Sequence, residues 1–185
     1  MSRGRLQPGA APLRCHSRGG DVHHVPTGST APTCGSLTTP PCKLFSVAIP
    51  KLNPGDTLVL LDGTYDGTTS GYPDIDCRAG ANNGNASNRI TLKAQNERKA
   101  FLKGDGSGSA PFRMAFCSYW NIEGLHAENG DFAGQTGGSV FSIRTSQNIT
   151  MRRNLGAKNN RYTNSHIFLI SYDSKYILVE ENEAY

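Results

Sequence analysis

The sequence predicts an all-β fold, a parallel β-helix of about five stacked coils, and two observations carry this prediction. Charged residues make up 18% of the chain and glycine is frequent, a composition that favours a turn-rich β protein over a helical one. Short segments that read apolar, variable, apolar also recur at a nearly constant period. They begin at Leu58, Ile90, Trp120, Ile149 and Ile177, with spacings of 32, 30, 29 and 28 residues.

The period predicts how the segments are arranged. Repeats of this length cannot bury their apolar faces alone, so they stack, and like side chains then lie above like. Parallel strands in such a stack bond to the coil above and below. We therefore expect Trp120, Ile149 and Ile177 to lie over one another on neighbouring parallel strands.

Other repeat positions give further expectations. A second strand in each coil should begin eight residues before the last three starts, at Phe112, Phe141 and Leu169. Asn154 and Asn182 share a turn position, where asparagine tolerates the left-handed conformation and can form a ladder. Opposite charges should also stack between successive coils, with Arg152 and Arg153 in one coil and Glu180 and Glu181 in the next.

The N-terminal region differs in composition from the rest. Residues 1–36 hold few large apolar side chains, so we expect a disordered or non-native segment. The β-helix domain should then occupy residues 37–185, with a short helix near residues 44–49, a strand over 57–61 and a long loop over 66–88. The last residues fall within a repeat unit, so we expect an incomplete domain, truncated at its C-terminus.

The cysteines leave their pairing open. The five are Cys15, Cys34, Cys42, Cys77 and Cys117. The absence of a CxxC pair argues against a zinc ribbon. Cys34 and Cys42 bracket a proline-rich loop, and whether they pair depends on geometry.

Charge and hydropathy exclude some partners. The net charge is +4, yet no stripe of Lys and Arg is visible, so nucleic acid is not expected. No apolar run approaches the roughly 20 residues of a membrane span, and no signal peptide is visible. A mildly basic surface is compatible with an acidic polysaccharide, and we expect a monomer.

Four segments carry a resemblance to a known family. They are residues 52–65 (LNPGDTLVLLDGTY), 88–94 (NRITLKA), 100–104 (AFLKG) and 120–126 (WNIEGLH). Over residues 35–185 the chain resembles right-handed parallel β-helix proteins of the pectate-lyase-like superfamily. The likeness is to the first coils of polysaccharide lyases of the alginate lyase and chondroitinase B type. These motifs mark the fold well and the reaction poorly.

The resemblance implies a secreted or cell-surface location and, in the lyases, β-elimination on a uronate. There a cation, often calcium, or a basic side chain neutralises the sugar carboxylate, and a Lys, Arg, His or Tyr removes the adjacent proton. No residue here matches those catalytic groups, so no catalytic residue is assigned. No cofactor is expected in this chain, and Ca²⁺ is expected only in the complete protein.

Candidate binding residues come from strand alternation. If the strands near Phe112, Phe141 and Leu169 form one groove, alternate residues point outward. The outward residues include Arg113, Ser142 and Arg144, and His166 and Tyr172 lie near the same edge. The basic and aromatic candidates for binding an acidic sugar chain are therefore Arg113, Arg144, His166 and Tyr172. The competing interpretation is that these are ordinary solvated positions.

Two other groups of residues contain side chains that could bind a metal ion. Asp62, Asp66, Asp74 and Asp76 could hold calcium, but their spacing matches no EF-hand loop and turn chemistry explains them. Asp21, His23 and His24 lie in the segment least expected to fold. We expect no metal site at either place.

Three functions remain open on the sequence. The first is a carbohydrate-active β-helix protein, specifically a lyase acting on a uronate-containing polysaccharide. The second is a non-catalytic β-helix adhesin or carbohydrate-binding surface protein, and the third is an inactive fragment. Whether the chain is an enzyme is left open.

Overall fold

A computed structural model describes residues 20–36, 38–78, 82–106, 109–130, 138–159 and 165–185. These residues form fifteen strands: β1 (Asp21–Ser29), β2 (Thr57–Leu60), β3 (Gly63–Asp66), β4 (Asp74–Asp76), β5 (Ile90–Ala94), β6 (Ala100–Lys103), β7 (Phe112–Ala115), β8 (Ser118–Glu123), β9 (His126–Glu128), β10 (Gly138–Arg144), β11 (Gln147–Arg152), β12 (Leu155–Ala157), β13 (Ser165–Ser171), β14 (Lys175–Glu180) and β15 (Glu183–Ala184). A helix, α1 (Phe45–Ala48), continues into a 3-10 helix over Ile49–Lys51. The all-β class and the short helix are as predicted.

The strands form three sheets in which all the neighbouring strands are parallel. A six-stranded sheet has the order β1-β2-β5-β8-β11-β14, a five-stranded sheet β15-β12-β9-β6-β3, and a four-stranded sheet β13-β10-β7-β4. The chain passes from the six-stranded to the five-stranded to the four-stranded sheet and then repeats this passage. We call each passage a rung. The rungs are β2–β4, β5–β7, β8–β10, β11–β13 and the pair β14–β15.

The predicted apolar column is present. Ile149 pairs with Trp120 on one neighbouring strand and with Ile177 on the other. Trp120 and Ile149 are fully buried, and burying an apolar side chain of this size stabilises a fold by about 2 kcal/mol. The repeat period therefore identified the true stacking partners.

The first repeat is shifted by two residues from the predicted alignment. Leu58 was aligned with Ile90, whereas the structure pairs Leu58 with Leu92. A two-residue shift keeps every side chain on its own face, because side chains alternate with a period of two. The apolar pattern alone could not separate these two registers.

The predicted position of Leu169 is wrong by one residue. Phe141 pairs with Phe168, and Leu169 lies opposite Ser142 on the outward face. The cause is a longer turn, since three residues join β13 to β14 while two join β10 to β11. A shift of one residue exchanges the two faces of a strand. Phe168 consequently stacks on Phe141, with ring centroids 5.0 Å apart.

The loop predicted over residues 66–88 is interrupted by a strand. β4 (Asp74–Asp76) pairs with β7 and brings Ile75 into the core between two outward carboxylates. Three residues are too few for the alternation to register as a strand signal. This correction matters because β4 forms one wall of the site described below.

Strand β1 lies within residues 1–36, for which the sequence predicts a disordered or non-native segment. β1 pairs with β2, and His23 donates its backbone N–H to Gly35 O at 2.9 Å. Residues 1–19 lie outside the described part of the chain. Composition does not predict β1, because pairing with β2 is a non-local feature that local apolar content does not reveal.

Two disulfides join cysteines among the described residues. Cys34 pairs with Cys42, and Cys77 pairs with Cys117 across 40 residues of sequence. Cys15 lies outside the described residues. The first bridge was one of the open alternatives, and the second could not be deduced because spacing does not determine connectivity.

Candidate functional site

The outward face of the four-stranded sheet presents a column of side chains. Asp74, Arg113, Ser142 and Leu169 occupy successive positions on β4, β7, β10 and β13. Alternation along β7 buries Phe112 and Met114 and leaves Arg113 exposed. The strands therefore place basic and polar groups on this face because the apolar groups fill the core.

This face borders a cleft of about 400 Å³. All four candidates from the sequence line it, and the described lining residues are Ser109, Ala110, Arg113, Gly138, Ser139, Ser142, Arg144, His166, Leu169, Ser171 and Tyr172. The structure thus brings together four candidates that are spread along the sequence. The outermost two, Arg113 and Tyr172, are 59 positions apart. Whether they bind a ligand is a separate question.

Arg144 is the cation best placed to meet an anion. Its guanidinium lies over the Tyr172 ring, 4.5 Å from the centroid. No carboxylate of the described residues forms an ion pair with it. A cation on an aromatic face keeps its hydrogen-bond donors free at the edge. Arg144 can therefore offer a bidentate contact to an incoming carboxylate.

Arg113 is held differently. Asp74 accepts two hydrogen bonds from its guanidinium, at 2.9 and 2.8 Å. Both side chains are about half exposed, so the pair adds little stability, under about 1 kcal/mol. Its effect is to hold a donor and an acceptor side by side, an arrangement suited to sugar hydroxyls.

Two serines add neutral polar groups to the wall. Ser142 is nearly buried, and the Ser171 Oγ is buried without a hydrogen-bond partner among the described residues. Buried polar atoms are normally partnered. Ser171 borders the cleft, but its hydroxyl oxygen is buried beneath the surface, so it shapes the wall without facing an entering ligand.

His166 lies on the exposed face of β13, opposite Ser139 of β10. Its backbone carbonyl accepts a hydrogen bond from Asn159 Nδ2 at 2.8 Å. The imidazole itself borders the same cleft as Arg144. It can donate and accept hydrogen bonds there.

A second depression of about 370 Å³ adjoins the first. The two share Arg113, Arg144 and Tyr172, and the second adds Asp76, Ala115, Phe116, Thr145 and Arg78. Arg78 lies over the Phe116 ring, 4.9 Å from the centroid. Its hydrogen bonds to Asp76 hold the pKa of that carboxyl below its usual value.

Sequence reasoning missed Asp74 and Asp76 as wall residues and Arg78 and Phe116 altogether. The first three belong to the segment predicted as a loop, and Phe116 follows β7 in a turn. The one available signal was the alternation over residues 74–76, where Ile75 separates two carboxylates.

The aspartates weighed for calcium are committed to other partners. Asp66 accepts hydrogen bonds from Thr68 and Thr69, which lower its pKa to about 2. Asp62 accepts from Asn96, while the other two, Asp74 and Asp76, pair with the arginines named above. Within the described ranges no three His, Cys, Asp or Glu residues lie close enough to hold a metal ion. These carboxylates therefore do not fit a calcium site.

The histidine pair near the N-terminus is divided between core and surface. His24 is fully buried and stacks on Phe45, with ring centroids 4.1 Å apart. Neither of its ring nitrogens has a partner among the described residues, and burial lowers its pKa to about 3. His23 is only partly buried on β1. The two rings do not form a metal site with Asp21.

The comparisons with family models and with curated proteins assign no family to this chain. No protein-family model matches it, and no curated protein matches it either. Among the described residues, no helix has the length and apolar character needed to cross a membrane.

Proposed function

We propose that this chain is a right-handed parallel β-helix of the pectate-lyase-like type, and that its cleft binds an acidic polysaccharide. Three parallel sheets visited in rotation support the fold. The motifs at residues 52–65, 88–94 and 120–126 support the kinship. Two adjoining depressions that share Arg113, Arg144 and Tyr172 suit neighbouring units of a polymer better than one compact ligand.

One observation carries the ligand class. Arg144 is the cleft arginine with no carboxylate partner among the described residues, and it rests on Tyr172. Arg113 and Arg78 each have an aspartate, so their charge is balanced. A ligand with a carboxylate for Arg144 and hydroxyls for Arg113 and Asp74 matches this pattern, and a uronate sugar has both.

A secreted or cell-surface location is part of the proposal. The disulfides Cys34–Cys42 and Cys77–Cys117 support it, because such bonds persist in oxidising compartments and are rare in the cytosol.

The binding test compares two arginine variants. Arg144→Gln should weaken binding of a polyuronate by about tenfold or more, the size of a lost charge-assisted hydrogen bond. Arg153→Gln is the matched control, since Arg153 borders a depression formed by residues outside the cleft. Titration calorimetry with polygalacturonate, alginate and a neutral glucan measures the difference. Equal affinity of both variants, or equal binding of the neutral glucan, would contradict the proposal.

β-Elimination is the second candidate function, and the residues that border the cleft with Arg144 favour it. His166 and Tyr172 border the same cleft, and imidazole and phenol are groups that can take a proton next to a neutralised carboxylate. The assay is ultraviolet absorbance of unsaturated uronate products, with and without calcium. Binding without any absorbance would assign the chain to the non-catalytic class, an adhesin or carbohydrate-binding surface protein.

A further inference from the structure

Two similar cation–aromatic pairs lie along the outward face of the four-stranded sheet. One is Arg144 on Tyr172, at 4.5 Å, and the other is Arg78 on Phe116, at 4.9 Å. The first borders both depressions, and the second borders only the depression nearer β4. The pairs therefore stand at different points along one groove.

The aromatic members occupy the same turn position. Phe116 follows β7, Thr145 follows β10 and Tyr172 follows β13, and all three have positive φ angles, 59°, 46° and 46°. A shared backbone conformation directs their side chains the same way. Phe116 and Tyr172 are two strands apart, roughly 10 Å at the usual strand spacing, with the smaller Thr145 between them.

The Arg78–Phe116 pair is fastened by a disulfide. Arg78 directly follows Cys77, and Phe116 directly precedes Cys117, while the two cysteines are bonded and almost fully buried. Cys77 also donates its backbone N–H to Ala115 O at 3.0 Å. Since Arg78 is exposed and lies just beyond the end of β4, the bridge is the covalent element that fixes the arginine next to its ring.

We infer that the Cys77–Cys117 disulfide builds a second subsite, in which Arg78 and Phe116 contact a sugar residue next to the one held by Arg144. This inference rests on the proposed function and deepens it. The substrate class is a uronate polymer of at least two residues, since two neighbouring residues reach both cation–aromatic pairs. A monosaccharide occupies the Arg144 subsite alone, and affinity rises with length only while the bridge is intact.

The chemistry of the second subsite follows from its charges. Asp76 accepts hydrogen bonds from the Arg78 Nε and Nη2 at 2.9 and 2.6 Å, which leaves the other guanidinium nitrogen for a ligand. The ring of Phe116 is 41% exposed, so its free area can pack on the apolar face of a sugar. Because Asp76 balances its charge, Arg78 contacts a sugar hydroxyl here and leaves the carboxylate to Arg144.

The test uses a uronate monosaccharide and a uronate hexasaccharide with the full chain. In the oxidised wild type the hexasaccharide should bind about tenfold or more tighter than the monosaccharide. Arg78→Ala should remove that gain and leave monosaccharide affinity unchanged. Cys77→Ser with Cys117→Ser should do the same, and in that background Arg78→Ala should cost nothing further.

The other bridge provides a matched control. Cys34→Ser with Cys42→Ser also removes one disulfide, near β1 and away from the cleft, and should leave both affinities unchanged. Hexasaccharide affinity that survives Arg78→Ala overturns the second subsite while the proposed function stands. Failure of both sugars to bind the wild type removes the proposed function and this inference with it. If the Cys77 and Cys117 variant also loses the monosaccharide, its cleft is disturbed, and Arg78→Ala decides alone.

Discussion

Asn154 lies directly beneath Asn182, and the Asn182 Oδ1 accepts hydrogen bonds from both the backbone N–H and the Nδ2 of Asn154, each at 2.9 Å. The ladder continues downward, because Asn154 Oδ1 accepts the backbone N–H of Leu125 at 3.0 Å. Asn154 Nδ2 also donates to Ile122 O at 2.9 Å. The predicted asparagine ladder is therefore confirmed, and one fully buried amide satisfies backbone groups in the adjoining rung.

Replacing Asn154 should cost more than replacing Asn182. Asn154→Ala leaves the Leu125 N–H and the Ile122 carbonyl buried with one partner fewer, so we expect a loss of about 2–4 kcal/mol of unfolding free energy. Asn182→Ala acts at a partly exposed position, where water can replace the amide, and should cost under half as much. Denaturant titration followed by fluorescence of Trp120, the single tryptophan, measures both. Equal losses would mean that burial does not set the cost of breaking the ladder.

His24 should make the fold sensitive to acid. Its pKa in the folded chain is about 3 instead of 6.5, so the unfolded chain binds the additional proton as the pH falls below about 6.5. The stability contributed by the neutral ring is fully present above that pH and is lost progressively as the pH falls towards 3. The slope in this window reaches about 1.4 kcal/mol per pH unit.

Substitution isolates this term. His24→Phe keeps the stack on Phe45 and removes the titrating group. The difference in unfolding free energy between wild type and variant should therefore shrink, or reverse in favour of the variant, as the pH falls from 6.5 to 4. Tyr65 also contacts the ring, but burial raises its pKa and it stays neutral in this range. His23→Gln is the matched control. A pH profile of stability that His24→Phe leaves unchanged would show that the ring is not kept neutral.

The faces of β13 can be tested by comparing neighbours. Phe168 stacks on Phe141 with an interplanar angle of 7°, whereas Leu169 borders the cleft. Phe168→Ala should lower the free energy of unfolding by about 2–3 kcal/mol. This loss is smaller than that expected for a fully buried phenylalanine, because Phe168 is only partly buried. Leu169→Ala should cost under about 1 kcal/mol. The reverse order, measured by thermal unfolding, would restore the register predicted from the sequence.

The ion pair between the last two rungs should contribute little to the free energy of unfolding. Arg152 lies opposite Glu180, and its Nε donates to that carboxylate at 2.6 Å. Each side chain keeps at least a third of its surface exposed, so solvent screens the pair and Glu180→Gln should cost under about 1 kcal/mol. The loss should shrink further in 1 M salt. A cost above 2 kcal/mol in denaturant titration would indicate a buried network that the exposure does not suggest.

The repeat made much of the fold predictable. Stacked side chains such as Trp120, Ile149 and Ile177 recur at one period, and a period is visible in sequence. Stacked charges and asparagines followed the same rule, and the structure confirms Arg152 opposite Glu180. The registers at Leu58 and Leu169 were wrong because turn length, which sets them, leaves no periodic signal.

The site residues were predictable from the sequence only where they lie on strands whose side chains alternate between the core and the surface. Arg113 and Arg144 were found because they sit outward on strands whose neighbours are apolar. Arg78 and Phe116 were missed because a non-local bond, Cys77–Cys117, places them together, and sequence spacing cannot specify such a bond.

The turn before β14 is one residue longer than the turn before β11. Such a difference in turn length has a consequence for how the cleft evolves. Gaining or losing a single codon between strands replaces one set of side chains on the outward face with the alternate set. The longer turn places Leu169 opposite Ser142, where a rung with the shorter turn would present a different side chain. The side chains that border the cleft can therefore diverge between descendants through insertions and deletions alone, with every strand residue kept.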